Sequence, residues 1–318
     1  MSAEILVTGA AGFIGAHLVT ACERAGFAVT ALDPRPVQVS ATHIVAGPAG
    51  SAPVLADVRA GRYRAVLHQG GISSTLESDV ALLRAVNVDE PLALAEDCAA
   101  SGTSFAYASS HSVYGTIRGR IAVSEPDVDD AQRCTGPLNA YASSKLTLDR
   151  EMARRFGTDT AWAGYRYTNV FGTGEEHKGT MASIISQVLR QAAGGRQLRL
   201  FADTLEASRD YVPVEVVAET MLAAIAEPPP PGVYNLGSGV PVSFATLLGW
   251  CSELRADGEL DVRLIPNPVR DRYQYWTCAD QSTTGKVLAP ARAASIDEVH
   301  TAASRLYASF TAEPEPTP

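Results

Sequence analysis

Tyr141-Ala142-Ser143-Ser144-Lys145 places a phenol and an amine four residues apart. On a helix that spacing brings both side chains to one face. An ammonium beside a phenol favours the phenolate and lowers the phenol's pKa from about 10 toward the working range. Tyr141 can then exchange a proton with a substrate hydroxyl while a hydride moves to or from a nicotinamide ring, and Lys145 can bond the nicotinamide ribose. Alone, Tyr-x-x-x-Lys usually marks a solvated helix face. Here it lies downstream of Ala108-Ser109-Ser110-His111-Ser112-Val113-Tyr114-Gly115, at the end of a β-rich run. In a doubly wound sheet that strand end faces the cofactor crevice. Ser110 is the candidate third member, bonding the reacting oxygen; the plain reading is a turn serine.

A second cluster sits near the start of the chain. Gly9-Ala10-Ala11-Gly12-Phe13-Ile14-Gly15 follows the apolar run Glu4 to Thr8 and opens an amphipathic segment. Three glycines spaced Gly-x-x-Gly-x-x-Gly at a strand-to-helix junction let the backbone approach a pyrophosphate, and the helix N-terminus offers free N–H groups. Gly9, Gly12 and Gly15 are therefore cofactor-binding candidates. Asp33 ends the second β-rich run, where a carboxylate accepts bonds from the adenosine ribose hydroxyls and repels a 2′-phosphate, which favours NAD. Arg35, two residues later, is placed to hold that phosphate instead, so NADP stays open.

These residues need a scaffold that brings strand ends together. Short β-rich runs at 4–8, 27–32, 64–68, 104–108 and 160–167 alternate with helical patterns to about Ala25, from Ser78 to Ala100 with Pro91 as the candidate point for a kink or break, and from Ala140 to Phe156. That alternation predicts an α/β fold, a Rossmann-like doubly wound parallel sheet. After Gly172 the rhythm changes. A helix near Met181–Ala193 ends at Gly194-Gly195, and short β-rich pieces follow around 198–201, 210–212 and 233–236. We expect a dinucleotide-binding domain over 1–171, to which pieces of 210–238 return. A smaller C-terminal α/β substrate domain is expected over 172–312 and a disordered tail over 313–318.

Length and composition fit this frame. The 318 residues are 46% hydrophobic and 19% charged, ordinary for a globular enzyme. A net charge of −9 argues against nucleic-acid binding. Five scattered cysteines suit reduced thiols in a cytoplasmic protein, six histidines show no metal-ligand spacing, and no run is apolar enough to span a membrane.

Taken together, the Gly-x-x-Gly-x-x-Gly turn, Asp33, Ser110, Tyr141 and Lys145 resemble the extended short-chain dehydrogenase/reductases, which include nucleotide-sugar epimerases and dehydratases. Arg166-Tyr167-Thr168-Asn169-Val170-Phe171-Gly172 is similar to the family's strand-to-substrate-loop motif. His177-Lys178-Gly179-Thr180-Met181-Ala182-Ser183, Ser73-Ser74-Thr75, Arg209-Asp210-Tyr211-Val212 and Arg272-Tyr273-Gln274 resemble the ADP-glyceromanno-heptose 6-epimerases within it. That resemblance implies inversion of C6 of a nucleotide-linked heptose by transient oxidation to a ketone, with a tightly bound NAD or NADP, in a homo-oligomer. It implies that Tyr141 serves one orientation of the ketone and Lys178 the other; taken alone, Lys178 reads as a phosphate ligand or a loop residue. It further implies that Phe13, Ile14, Gln69, Gly70, Gly71, Ser73, Asn87 and Val170 line the dinucleotide. Ser74, Asn169, Thr180, Gln187, Phe201, Thr204, Arg209 and Tyr273 are implied to meet the nucleotide sugar, with Arg209 forked onto the diphosphate.

Gln69 and Gln187 depart from the expected Glu and His, and Asp203 brings an acid into the nucleotide stretch, so base identity stays open. The alternative within the fold is a hexose nucleotide 4-epimerase, which leaves Lys178 idle. A 4,6-dehydratase is disfavoured because His111 and Ser112 stand where an acid pair is wanted. A catalytically idle dinucleotide-binding protein is the reading outside enzymology, and the intact Ser110, Tyr141 and Lys145 oppose it.

Overall fold

The computed structural model describes residues 4–270, 273–288 and 294–312, apart from the side chains of His177 and Thr180; the expected tail at 313–318 lies outside the described residues. The first strand, β1 (Glu4–Thr8), carries Ile5, Leu6 and Val7, all fully buried. A strand covered on both faces reads as an unbroken apolar run, as in sheets packed between helices. The further strands are β2 (Ala28–Asp33), β3 (His43–Ala46), β4 (Ala65–His68), β5 (Ser104–Ser110), β6 (Trp162–Tyr167), β7 (Asn169–Phe171), β8 (Leu198–Phe201), β9 (Ser208–Pro213), β10 (Gly232–Leu236), β11 (Pro241–Ser243) and β12 (Val262–Ile265). The helices are α1 (Phe13–Arg24), α2 (Ala52–Arg59), α3 (Val80–Arg84), α4 (Glu90–Ser101), α5 (Ala140–Arg155), α6 (Ile184–Ala193), α7 (Val214–Ala226), α8 (Phe244–Leu254), α9 (Thr284–Val287) and α10 (Ile296–Ala312).

Seven strands form one parallel sheet in the order β10-β6-β5-β4-β1-β2-β3. The order reverses between β1 and β4, and a crevice opens at such a switch point. Helices α1 and α7 pack together over one face, around Leu18, Val19, Val217 and Met221. Helices α2, α4 and α5 cover the other, around Val58, Leu92, Leu148 and Met152. Each fully buried aliphatic side chain contributes about 1.5–3 kcal/mol. Strand β10 and helix α7 therefore return to the first sheet, although Val170 on β7 belongs to a separate three-stranded sheet, β11-β9-β7. A third apolar core binds α6, α8 and α10 to that sheet and to the β12-β8 pair.

The long helix expected from Ser78 to Ala100 is continuous but not uniform. Between α3 and α4, Ala85–Asp89 form a π-helical turn. The wider turn takes up an extra residue and seats Pro91 in the first turn of α4, so the proline does not end the helix. The same turn points Asn87 inward, with 1% of its surface exposed. Among the described residues no helix is long and apolar enough to cross a membrane, and no cluster of His, Cys, Asp and Glu could hold a metal ion.

Candidate active site

The glycine turn lies between β1 and α1. Gly9 adopts φ +67°, and a side chain there would start 2.6 Å from the Gln69 backbone. A Cβ on Gly15 would sit 2.1 Å from the Gly9 carbonyl oxygen. These two glycines allow β1, α1 and the loop after β4 to pack together. Gly12 differs: a side chain there would begin 3.1 Å from the Gly9 oxygen, leaning toward Arg35. Gly12 also caps α1 without any side-chain hydrogen bond, and no acidic residue lies in the first turn. The free N–H groups and the positive end of the helix dipole are left for an anion.

Asp33 is 3% exposed at the end of β2. Its Oδ2 accepts from Ala11 N at 3.1 Å, and its Oδ1 accepts from Arg35 N at 2.9 Å and Arg35 Nε at 3.1 Å. The carboxylate thus braces the glycine turn from beneath. Arg35, with 60% of its side chain exposed, folds back onto Asp33. The two residues weighed separately for the ribose and a phosphate are an ion pair.

The loop after β4 is fastened to the Tyr-Lys helix. Asn87 accepts from Ile72 N at 2.8 Å, donates to Ile72 O at 3.0 Å and donates to Ser144 Oγ at 3.0 Å. Its amide N–H groups are thereby taken up within the protein, and Asn87 braces this loop from behind. A Cβ on Gly71 would lie 2.9 Å from Asn87 Oδ1 and 3.6 Å from Lys145 Nζ, so only bare backbone passes there. Gln69 accepts from Tyr167 at 3.2 Å, while among the described residues its buried Nε2 has no partner. Ser73 is exposed on this loop, Ser74 Oγ accepts from Leu76 N, and Ile14 and Val170 pack against the core beneath.

Ser110 ends β5, and Tyr141 and Lys145 face it from α5, whose start is capped by Asn139 accepting from Ala142 N. Ser110 Oγ lies 2.8 Å from Ser112 Oγ, and the Ser110 hydroxyl is near enough to the Tyr141 phenol to bear on its pKa. The three expected residues therefore converge. The expected lowering of the phenol's pKa is outweighed by burial. Burial raises the Tyr141 pKa, opposed only by the Ser110 hydroxyl. Lys145 is 5% exposed, and burial lowers its own pKa to about 8 against the opposing pull of Asp149. Its ammonium donates to the Ala108 carbonyl at 2.9 Å. At neutral pH Lys145 stays mostly protonated, with its ammonium directed at the Ala108 carbonyl.

Lys178 lies on a turn over Glu176–Met181, broken by Gly179 at φ +53°. Its Nζ sits 5.2 Å from the centroid of the Phe13 ring, a cation–π contact. Phe13 packs edge-on to His17, and His17 Nε2 bonds the Thr173 carbonyl at 2.8 Å. The Lys178 loop is thus clasped to the first turn of the dinucleotide helix. Glu175 joins it, 3.0 Å from Lys178 Nζ. Thr180, expected to touch substrate, has its side chain outside the described residues.

In the second lobe, Arg209 is 8% exposed between two rings, 5.0 Å from the Tyr273 centroid and 5.9 Å from Phe244. Among the described residues its guanidinium makes one hydrogen bond, from Nη1 to the Ser208 carbonyl at 3.1 Å. The ion-pair reading of Arg209 finds no carboxylate partner there. Phe201 stacks edge-on to Tyr273, Thr204 bonds the Phe201 carbonyl at 2.9 Å, and Tyr275 donates to Asp203 at 2.6 Å. Asn169 and Gln187 are used internally: Asn169 donates to the Asp210 carbonyl and Gln187 to the Ala182 carbonyl.

Sequence reasoning passed over Asp149, Glu175 and Phe244. Asp149 stands one turn beyond Lys145, so the helical spacing that linked Tyr141 to Lys145 would have found it. Nothing in the sequence joins Phe244 to Arg209.

A strand–glycine turn–helix at the switch point of a parallel sheet, with serine, tyrosine and lysine converging above β5, defines an extended short-chain dehydrogenase/reductase. The chain belongs to the NAD dependent epimerase/dehydratase family, which matches residues 5–237. It is 32% identical over 310 residues to the ADP-L-glycero-D-manno-heptose-6-epimerase of Thiobacillus denitrificans, covering 88% of this chain and 91% of that one. Among solved structures it is similar to MoeE5 in complex with UDP-glucose and NAD, at TM-score 0.79 and 25% identity over 96% of this chain and 99% of that one. The fold also matches the Helicobacter pylori ADP-L-glycero-D-manno-heptose-6-epimerase at TM-score 0.82 and 24% identity, covering 98% and 97% of the two chains.

Proposed function

We propose that this enzyme inverts C6 of a nucleoside-diphospho-glycero-manno-heptose, keeping its NAD bound throughout. The observation that carries the reading is Lys178 poised over Phe13, which gives the site a second proton-handling group besides Tyr141. Only three lysines occur in the chain, and two of them, Lys145 and Lys178, are at this site. Where arginine serves nearly everywhere else, lysine is kept where a group able to release its proton is useful. The name of the Thiobacillus relative points the same way.

Gly12, the start of α1 and Asp33 would hold the pyrophosphate and adenosine side of NAD; the open glycine and the uncapped helix fit it. When bound, NAD would supply reversible hydride transfer at the substrate carbon, which makes that carbon planar in its ketone form. Inversion needs the returning hydride to reach the opposite face, so the sugar must present its ketone oxygen in two orientations. In one, Ser110 and Tyr141 bond the oxygen and Tyr141 carries the proton. In the other, Lys178 does so. Arg209, held between Tyr273 and Phe244 with a single guanidinium hydrogen bond among the described residues, would grip the diphosphate in both. A hexose 4-epimerase swings the whole sugar past one acid–base group and has no use for Lys178.

The test is incubation with the ADP-, GDP-, CDP- and UDP-linked heptoses, reading C6 configuration by NMR. Inversion of one form without net consumption of NAD is expected; all four recovered unchanged would refute the proposal.

A further inference from the structure

We propose that Glu175 is a positioning residue for Lys178, a role that rests on the epimerase reading above. Its side chain is 3% exposed, against 27% for Lys178. Four donors converge on it: Lys178 Nζ at 3.0 Å, Ser183 N at 2.9 Å, Ser183 Oγ at 2.7 Å and Ser186 Oγ. A carboxylate has about four acceptor positions, so this one is filled. Three of the donors belong to the start of α6, where Ser183 caps the helix, and that helix is packed into the second lobe through Ile185 and Leu189.

Glu175 thus fixes the Lys178 ammonium to a rigid helix end. From the other side, Phe13 ties it to the dinucleotide turn. A lysine has four rotatable carbons, and an unanchored ammonium would sample many places around the reacting carbon. Gly179, at φ +53°, breaks the helical turn immediately after Lys178. The neighbouring acid plays no part in this anchor, because Glu176 pairs outward with Arg190 at 3.4 Å and accepts from Gly174 N.

The experiment separates the two orientations. Each C6 epimer of ADP-glycero-manno-heptose is mixed singly with the NAD-loaded enzyme, and the first turnover is followed by absorbance of the reduced ring. Glu175→Gln is expected to slow the reaction of one epimer by about ten- to a hundredfold, the same epimer that Lys178→Met slows, and to spare the other. Glu176→Gln is expected to slow neither. A general loosening of the fold would slow both epimers, and that result, or wild-type rates with both, overturns the positioning role. Lys178→Met inverting C6 at the wild-type rate overturns the epimerase reading itself, whatever Glu175 does.

A readout without substrate accompanies it: acetylation of Lys178 relative to exposed Lys286, by mass spectrometry. Losing the ion pair is expected to raise that ratio about threefold in Glu175→Gln, and an unchanged ratio overturns the anchoring. Should Glu175→Gln fail to fold, Glu175→Asp is read the same way, since a carboxylate drawn back by one methylene cannot reach all four donors.

Discussion

Asp149 and Arg166 meet at 2.9 Å with only 2% and 5% of their side chains exposed, directly beneath the Tyr-Lys helix. Asp149 also accepts from Tyr107 at 3.1 Å, while Arg166 Nη1 donates to Tyr114 at 2.9 Å and to the Glu125 carbonyl at 2.8 Å. The pair bolts α5 to β5 and β6 and supplies the negative charge that holds Lys145 toward its protonated form. Removing one partner of a buried ion pair strands the other. Arg166→Met is expected to cost about 3–5 kcal/mol in urea unfolding at neutral pH. A loss below about 1 kcal/mol would show that the buried network contributes little to holding α5.

Tyr141→Phe removes the expected proton carrier beside Ser110 and leaves the ring in place. Turnover on any nucleotide sugar the wild type accepts is expected to fall by about 10²–10⁴-fold, with the melting temperature unchanged. Activity within a fewfold of wild type would remove Tyr141 from the chemistry.

The glycines of the turn are expected to fail differently. Gly15→Ala drives a methyl group into the Gly9 carbonyl and should destabilise the fold by about 1–3 kcal/mol or more. Gly12→Ala meets a looser contact, so the protein should fold but lose its dinucleotide. Thermal melting and the nucleotide released on denaturation distinguish the two; equal melting temperatures would contradict this division of roles.

Acid should loosen the protein through buried histidines. Burial lowers His68 to about 3 and His111 to about 4. Among the described residues His111 has no well-formed hydrogen bond on either ring nitrogen, although the Cys278 backbone lies near it. Below about pH 6.5 the unfolded chain takes up protons that the folded chain refuses, so the stability these groups contribute is present above that pH and drains away as pH falls toward 4. His111→Leu is expected to shrink the drop in urea midpoint between pH 7 and 4.5. An unchanged drop would mean that His111 does not drive it.

All five cysteines are buried, and burial raises the thiol pKa of each. The thiolate is the reactive form, so a thiol reagent at pH 8 should titrate none in the native protein and all five once unfolded. Rapid reaction of one in the native state would place it beside a local opening of the fold.

The parallel sheet, the glycine turn and the Ser-Tyr-Lys group were legible because each depends on local order: apolar runs of strand length, turn residues at a strand end, and a spacing of four on a helix. Those rules act within a few residues and leave their mark in sequence. The pairing of Arg35 with Asp33, the internal hydrogen bonds of Asn87 and the upward shift of the Tyr141 pKa were not legible. Each is decided by which groups lie across the fold and by how much water they lose. The Arg209 slot joins β9, the start of α8 and a tyrosine 64 residues downstream. The Glu175 anchor needs α6 to dock against the second core. Chain order says which side chains are present; packing alone decides which of them are desolvated together, and desolvation sets their charge and their reach.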